Sequence, residues 1–343
     1  MQKEWQTFLC EHGATLNDHG QILSSLSIQQ EIALLNQNCL LASLDQLGVL
    51  HVTGDDAQTF LQGQFSNDIT LLDHSSTQIT AYCNPKGRML AQFFVIPSED
   101  GYFLVLPSSI LEKSLMRLRM FVLRSQVTIT DVSNEMVCFG LIGDDTAFDL
   151  TLPTNDYELT SAGQIICSKI PSIPSRYFVL TPLESAKQVW TTNCKQCQIV
   201  SMHPWNWLDI QAGIPSIHQE TVEEFVPQML NLDLIGGVNF KKGCYPGQEI
   251  VARMHYLGKP KRRMFRLHSP GDIPPAPGED IYIYGGDGQS AGKVVIAEPS
   301  PEKGTDLLAV IRLSHIGSTS LRLGSEDGPA LQFNELPYAL ETE

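Results

Sequence analysis

The C-terminal part of the chain changes character, and this change constrains the fold more than any other feature. After Gly258 helical periodicity disappears, and Gly, Pro and Asp separate the short apolar runs "KRRMFRLHS", "DIYIYGG", "QSAGKVVIAEPS", "DLLAVIRLS" and "PALQFNELPY". Short strands separated by turn residues are typical of a small barrel or sandwich. We therefore predict a C-terminal antiparallel β-barrel domain over residues 258–343, with a boundary near residues 257–262.

The chain before that boundary mixes helix and strand signals, which predicts an α+β fold. "LGVLHVTG" predicts a strand, and "QITAYCNPKGRMLAQFFVI" predicts two strands joined by a turn at residues 84–87. "HPWNWLDIQAGIPSI" predicts a helix that ends at Gly213. "SSILEKSLMRLRMFVLRS" predicts an amphipathic helix, whose apolar stripe consists of Ile110, Leu111, Leu115, Leu118 and Val122. We expect residues 1–257 to form one region with two intertwined subdomains.

The charge balance argues against broad nucleic-acid binding. The 343 residues carry 23 Lys and Arg against 38 Asp and Glu, a formal net charge of -15. Nonspecific binding to nucleic acid needs clustered cations against phosphates. The strongest basic cluster is "GKPKRRMFR" at residues 258–266, which includes Lys261, Arg262 and Arg263. It could contact RNA or an acidic partner, but a solvated barrel edge is the simpler interpretation, because edge strands often carry Lys and Arg.

Composition also bears on the compartment and on metal binding. The N-terminal segment lacks the basic and apolar regions of a secretory signal, and no run approaches the ~20 apolar residues of a membrane span. We expect a soluble cytoplasmic protein without a membrane partner. The eight cysteines are scattered, so we expect reduced thiols. Cys194 and Cys197 form a C-x-x-C pair, but without a second close pair we expect no metal site.

One cysteine stands in an unusual context, the stretch "NFKKGCYPGQEIVAR" at residues 239–253. Pro246 lies near a predicted helix start, where its missing N–H is tolerated. Cys244 would then precede exposed helix-terminal N–H groups, and the helix dipole there favours an anion. Lys241 and Lys242 add positive charge, so the pattern favours the thiolate. A buried cysteine in a tight turn is the alternative, and the residues alone do not decide between them.

The octapeptide "KGCYPGQE" resembles the K-G-C-Y-x-G-Q-E signature of the folate-binding YgfZ-type family, which is related to the T-protein aminomethyltransferase of the glycine cleavage system. "VTGDDAQTFLQGQFSNDI", "YCNPKGRMLAQFFVI", "LDIQAGIP" and "FVPQMLNLDLIGG" occur in the family's order, so the resemblance covers nearly the whole chain. It implies a T-protein-like multidomain core. It also implies a protein that supports iron–sulfur enzymes or their assembly factors, some of which modify tRNA.

The resemblance points to a functional thiol and its neighbours. The residues that match the signature and its adjoining "VAR" are Cys244, Lys242, Tyr245, Gln248, Glu249 and Arg253. Three chemistries remain open for the thiol: attack on an electrophile, disulfide exchange, or transient holding of iron or sulfur. A single thiol favours transfer or transient ligation over stable cluster storage.

The resemblance also implies a pocket for tetrahydrofolate or a derivative. Trp205 resembles the family's folate-contacting Trp, although a core role is the simpler interpretation. Gln211 stands where T-proteins have Glu, and Gln offers only one acceptor to a pterin edge. Leu47 stands near the position at which some members of the family have a second folate-facing Trp. Lys86 and Arg88 could meet an anionic folate tail.

A departure from the T-protein pattern bears on the reaction. Ala91 and Gln92 occupy the region that holds the catalytic Asp of T-proteins, and neither can replace a carboxylate. This argues against ordinary aminomethyl transfer and leaves open whether the chain is an enzyme. We therefore expect a folate-binding accessory protein. A folate-dependent C1 or methyl transferase and a direct RNA-binding module are the alternatives.

Overall fold

The computed structural model describes residues 3–17, 21–24, 26–36, 39–258, 260–317 and 320–340. The chain divides into two compact units. The first comprises residues 1–57, 72–78 and 94–208, and the second comprises residues 58–71, 79–93 and 209–343. Residues 209–257 thus group with the C-terminal segment, and the boundary expected at residues 257–262 stays a prediction.

Helices and strands alternate along most of the chain. The helices are α1 (Lys3–Glu11), α2 (Ile28–Ala33), α3 (Ala57–Gln62), α4 (Ser108–Val122), α5 (Leu183–Asn193), α6 (His203–Ala212) and α7 (Gln248–Tyr256). The strands are β1 (Thr15–Leu16), β2 (Ile22–Leu23), β3 (Leu40–Ser43), β4 (Leu47–Thr53), β5 (Gln78–Cys83), β6 (Met89–Ser98), β7 (Gly101–Pro107), β8 (Thr128–Asp131), β9 (Met136–Ile142), β10 (Leu159–Ala162), β11 (Ile165–Ile170), β12 (Arg176–Pro182), β13 (Gln198–Val200), β14 (Arg262–Ser269), β15 (Asp280–Ile283), β16 (Gly292–Pro299), β17 (Thr305–Arg312), β18 (Leu321–Leu323) and β19 (Gln332–Asn334).

The first unit contains a mainly antiparallel sheet with the strand order β10-β11-β12-β9-β3-β13. Its core is aromatic: Trp5 of α1 meets Trp190 of α5 edge to face, with ring centroids 5.3 Å apart, and Phe139 of β9 packs against both. Such pairs add about 0.5–1.5 kcal/mol each to the free energy gained by burying their area.

A disulfide joins Cys39 to Cys197 in this unit, so the expectation of reduced thiols is wrong for these two residues. β13 pairs with β3 in parallel, with Gln198 opposite Leu40. Cys197 and Cys39 immediately precede these partners, and their Cα atoms lie 4.7 Å apart. The pairing joins segments 158 residues apart in sequence. The local spacing of cysteines in the sequence does not indicate a pairing over this distance.

Helix α4 also belongs to the first unit, where β7, β4 and β8 lie side by side. The predicted amphipathic helix is confirmed: α4 buries Ile110, Leu111, Ser114 and Leu118. Gly48 of β4 allows this packing, because a Cβ there would lie 2.2 Å from Leu111 Cδ1. The predicted helix before Gly213 is confirmed as α6.

The second unit contains the predicted C-terminal antiparallel sheet, with the strand order β18-β15-β16-β17-β14-β19. The sheet curls into a half-barrel and confirms the predicted class. Its apolar core includes Phe265, Leu267, Leu307 and Ile311. The short strand β18 was not predicted. Among the residues described, no helix has the length and apolar character needed to cross a bilayer.

Candidate functional site

The loop that carries Cys244 lies in the second unit and ends at Gly247, where α7 begins. Gly247 has φ +83°, and a Cβ there would lie 2.5 Å from the Asn84 carbonyl oxygen and 2.7 Å from Gly87 Cα. Gly87 has φ +70°, and its own Cβ would lie 3.1 Å from Ile250 Cβ. The turn at residues 84–87 and the start of α7 therefore pack backbone to backbone, which requires glycine on both sides.

The side chain of Lys242 anchors this loop to residues 62–67. Its side chain is buried, and its ammonium donates hydrogen bonds to the carbonyl oxygens of Gln62, Phe65 and Asn67 at 2.7, 2.5 and 2.9 Å. Burial lowers the pKa of Lys242 to about 8, although the charge of Asp68 acts in the opposite direction. Three charge-assisted bonds make this lysine a structural anchor. The sequence suggested instead that its charge serves the thiol.

Tyr245 and Gln248 provide two further anchors. Tyr245 is buried, its ring lies 5.3 Å from the Lys242 ammonium, and burial raises the pKa of its phenol. The Gln248 amide lies 3.5 Å from the Lys242 carbonyl oxygen and 3.4 Å from that of Gly243, so it spans the loop. The side chains on either side of Cys244 thus hold the loop in place.

Among the residues that match the signature and its adjoining "VAR", Cys244, Glu249 and Arg253 are exposed. The buried-cysteine alternative for Cys244 is therefore wrong in this structure. Burial raises the pKa of Cys83 and of Cys167 to about 12, so both remain neutral at physiological pH. Cys244 combines exposure with a position just before the first turn of α7.

Sequence reasoning missed several residues that position the loop. Phe240 stacks on His255 of α7, with ring centroids 3.7 Å apart. Asn84 accepts hydrogen bonds from the backbone of Lys86 and Arg88 and donates one to Glu223. The only sequence signal for Asn84 was its place in a predicted turn. The carbonyl oxygens around Lys242 belong to residues 62–67, and nothing in their side chains indicates this role.

The first unit contains a cavity of about 350 Å³ near the start of β4. Two residues of its lining each have a fully buried side-chain atom without a hydrogen-bond partner in the described part of the chain, Trp5 Nε1 and Gln46 Oε1. Burial raises the pKa of Asp45 to about 6, although a hydrogen bond from Ser43 lowers it. The lining thus combines the polar residues Asp45 and Gln46 with apolar side chains that include Leu47 and Met136.

Comparison with known proteins identifies the family. The family model described as the GCVT N-terminal domain matches residues 16–161. "tRNA-modifying protein YgfZ" of Cronobacter sakazakii is 31% identical over 310 residues, which cover 88% of this chain and 93% of the relative. The protein of the same name from Photorhabdus laumondii is 31% identical over 312 residues, with the same coverage of both chains. The chain belongs to the YgfZ family.

The YgfZ relationship extends to the fold. The crystal structure of the glycine cleavage system aminomethyltransferase T from Bartonella henselae matches with a TM-score of 0.75 over 96% of each chain, at 14% identity. At this low sequence identity the structural match shows the fold alone. The match confirms the predicted T-protein-like architecture.

The two predicted pterin contacts of this YgfZ member already have partners. Trp205 is 5% exposed, and the buried guanidinium of Arg176 lies 4.6 Å from its ring. Gly140 brings the backbone of β9 against Trp205, because a Cβ there would lie 2.4 Å from the ring. The Gln211 side-chain oxygen accepts a hydrogen bond from Arg266 at 2.8 Å. Their folate roles stay predictions.

The predicted folate-tail contacts of this YgfZ member lie on the turn beside α7. Lys86 is exposed, whereas Arg88 donates to the Glu224 carbonyl oxygen at 2.5 Å. Arg262 faces Arg312 across β14 and β17. Burial lowers the pKa of Arg262, and the charges of Arg312 and Arg88 lower it further. The charge of Glu224 acts in the opposite direction and offsets part of this repulsion.

Proposed function

We propose that this protein is a folate-binding accessory factor that supports the assembly or repair of iron–sulfur enzymes, tRNA-modifying ones among them, through the thiol of Cys244. One observation carries the proposal: an exposed cysteine sits on a loop that the buried side chains of Lys242 and Tyr245 anchor. A loop with a solely structural role gains little from this arrangement. A reactive group needs a rigid support and open access at the same time.

The position of Cys244 suits transfer chemistry. The thiolate is the reactive form of cysteine, and N–H groups at a helix start favour anions. Lys242, Tyr245 and Gln248 act as positioning residues because they hold the loop without needing to touch the reacting atoms. The exposed Glu249 and Arg253 remain available to a partner or substrate.

The folate part of the proposal rests on the first-unit cavity. An aminopyrimidinone edge presents neighbouring N–H donors and a carbonyl oxygen. The carboxylate of Asp45 and the amide side chain of Gln46, both half-buried in the lining, are the polar groups that would meet this edge. A carboxyl group with a raised pKa beside unpartnered polar atoms is the kind of feature that marks binding sites.

Calorimetric titration with tetrahydrofolate tests the folate part. We expect saturable binding to the wild type that weakens in Gln46→Leu, because this change removes an acceptor and adds nothing that can replace it. Gln64→Leu is the matched control in the second unit. Absence of saturable binding, or equal affinity in Gln46→Leu and the wild type, would reject this part.

The C1-transferase alternative lacks a suitable carboxylate on β6. Ala91 is fully buried, and Gln92 carries an amide. An assay of glycine-cleavage aminomethyl transfer should therefore give no activity above background. Transfer at the rate of a T-protein would favour the enzyme over the accessory factor.

The basic cluster on which the RNA-binding alternative depends is partly engaged in contacts within the protein. Arg263 is buried and paired with Asp233 at 2.6 Å, and Arg266 is held by Gln211. Lys259 lies outside the described residues. The exposed Lys261 and half-buried Arg262 offer fewer cations than the sequence suggested. We therefore place clients that modify tRNA, rather than tRNA itself, first among the partners.

A further inference from the structure

Helix α4 carries an exposed apolar stripe at Met116 and Met120, which lie one helical turn apart. Met116 and Met120 are 53% and 72% exposed, and Phe121, at the end of the side that packs on the sheet, is 43% exposed. Leu123, directly after the helix, is 86% exposed. Single exposed apolar residues are ordinary, but a group of large ones on one element marks an interaction site.

The backbone at Leu123 is strained. Its φ is +47°, a value that glycine adopts readily and leucine rarely. Many helices end with a glycine in the left-handed region, which would relieve this strain here. Instead the turn presents a leucine side chain to solvent. Strained backbone of this kind is concentrated at binding and catalytic sites.

The charge around this stripe opposes that of the whole chain. Four basic residues and one acidic residue lie between Ser108 and Arg124, whereas the chain carries a net charge of -15. The Arg119 guanidinium donates to the Ile129 carbonyl oxygen and is held on the protein. Arg117 and Arg124 flank the apolar stripe. Screening limits the range of surface charges to about 10 Å, so a partner on α4 experiences this local positive charge.

We propose that the α4 surface, formed by Met116, Met120, Phe121 and Leu123 with Arg117 and Arg124, binds an acidic amphipathic helix of a partner protein. Such a helix covers the apolar side chains and pairs its carboxylates with the arginines. Methionine adapts its shape to different partners, which suits a factor with several clients.

Two other occupants fit this surface less well. A second copy of the chain would bring the same positive charges against each other. Nucleic acid would pair with the arginines but leave the apolar side chains in water. An anionic membrane would meet both features, and binding to phosphatidylserine vesicles distinguishes it from a protein partner.

Fluorescence anisotropy with two synthetic peptides tests the proposal on the full chain. Each peptide forms about five helical turns with leucines on one face, flanked by Glu in one peptide and by Lys in the other. We expect the wild type to bind the Glu peptide at least about tenfold more tightly than the Lys peptide, a difference of about 1.4 kcal/mol. Arg117→Glu with Arg124→Glu should reverse this preference. Met120→Ser with Phe121→Ser should weaken binding of the Glu peptide by a similar factor.

A matched variant separates local from general charge effects. Lys195→Glu with Lys303→Glu changes the net charge by the same amount at exposed positions outside the α4 surface, so it should bind like the wild type. The proposal is overturned if the wild type shows no preference for the Glu peptide, or if the control variant loses it too. Sedimentation of the protein with phosphatidylserine vesicles, without peptide binding, would overturn it in favour of a membrane.

Discussion

At the scale of single residues, Lys242 explains why the loop around Cys244 has a fixed shape. Its ammonium donates hydrogen bonds to three backbone carbonyl oxygens, which lose this donor if the side chain is replaced. A buried acceptor left without a partner costs about 1–3 kcal/mol. Lys241, the preceding residue, is exposed and contributes no such contact through its side chain in the described structure. The two adjacent lysines therefore have different roles.

We expect Lys242→Met to lower the free energy of unfolding by about 2–4 kcal/mol, because a buried unsatisfied group is among the more costly single changes. Lys241→Met should stay within about 0.5 kcal/mol of the wild type, as exposed substitutions do. Urea unfolding followed by tryptophan fluorescence gives both values. Equal midpoints for the two variants would show that the three hydrogen bonds do not stabilise the loop.

Asp45 predicts a pH dependence of stability. Burial raises its pKa from 3.8 to about 6, so the folded protein binds this proton more tightly than the unfolded chain. The neutral carboxyl group is favourable below pH 4, and this contribution is lost as the pH rises through 6. Asp45→Asn should therefore stabilise the protein by roughly 2–3 kcal/mol at pH 8 and by little at pH 4. Thermal unfolding at both pH values measures this, and an equal effect at both would contradict the prediction.

At the scale of secondary-structure elements, the contact between the 84–87 turn and the start of α7 depends on two glycines. Gly247 combines positive φ with backbone atoms less than 3 Å from a potential Cβ. Gly243, in the same loop, has no atom within 4 Å of a potential Cβ. The two positions make a matched pair because they lie in the same loop, and only Gly247 has a positive φ and backbone atoms close to a potential Cβ.

Gly247→Ala should destabilise the second unit by about 1–3 kcal/mol or more, since it adds strain at positive φ and a clash with the backbone. Gly243→Ala should be tolerated. Hydrogen exchange of the amides of α7 reports the effect locally. Equal protection of α7 in the two variants would mean that the close contact between the turn and the helix does not stabilise α7.

Local patterns predicted the elements but not the contacts between distant segments. Turn residues and a helix signal located α7, and spacing located α4 and most strands of the C-terminal sheet. The carbonyl oxygens around Lys242 come from residues about 180 positions earlier, and Cys39 meets Cys197 through strand pairing. Backbone carbonyl groups occur at every residue, so no sequence pattern distinguishes the three that receive Lys242. Resemblance to the family indicated the importance of this lysine, and the structure supplied its physical role.

At the scale of the whole molecule, each unit provides a different part of the proposed function. The first unit contains the cavity with Asp45 and the α4 surface, and the second contains the anchored loop with Cys244. Most surface charge is acidic, so the basic α4 segment can attract an acidic partner without making the chain bind nucleic acid broadly. Folate binding, partner binding and thiol chemistry can therefore be altered by separate substitutions.

The central claim is that the Cys244 thiol supports iron–sulfur enzymes. The most direct test measures the activity of an iron–sulfur enzyme, per amount of that enzyme, in cells whose own copy of this protein is replaced by wild type, Cys244→Ser or Cys10→Ser. Cys10 is also exposed but lies on α1 of the first unit. We predict that Cys244→Ser loses most of the support while it folds normally, and that Cys10→Ser behaves like the wild type. Full enzyme activity with Cys244→Ser would contradict the account.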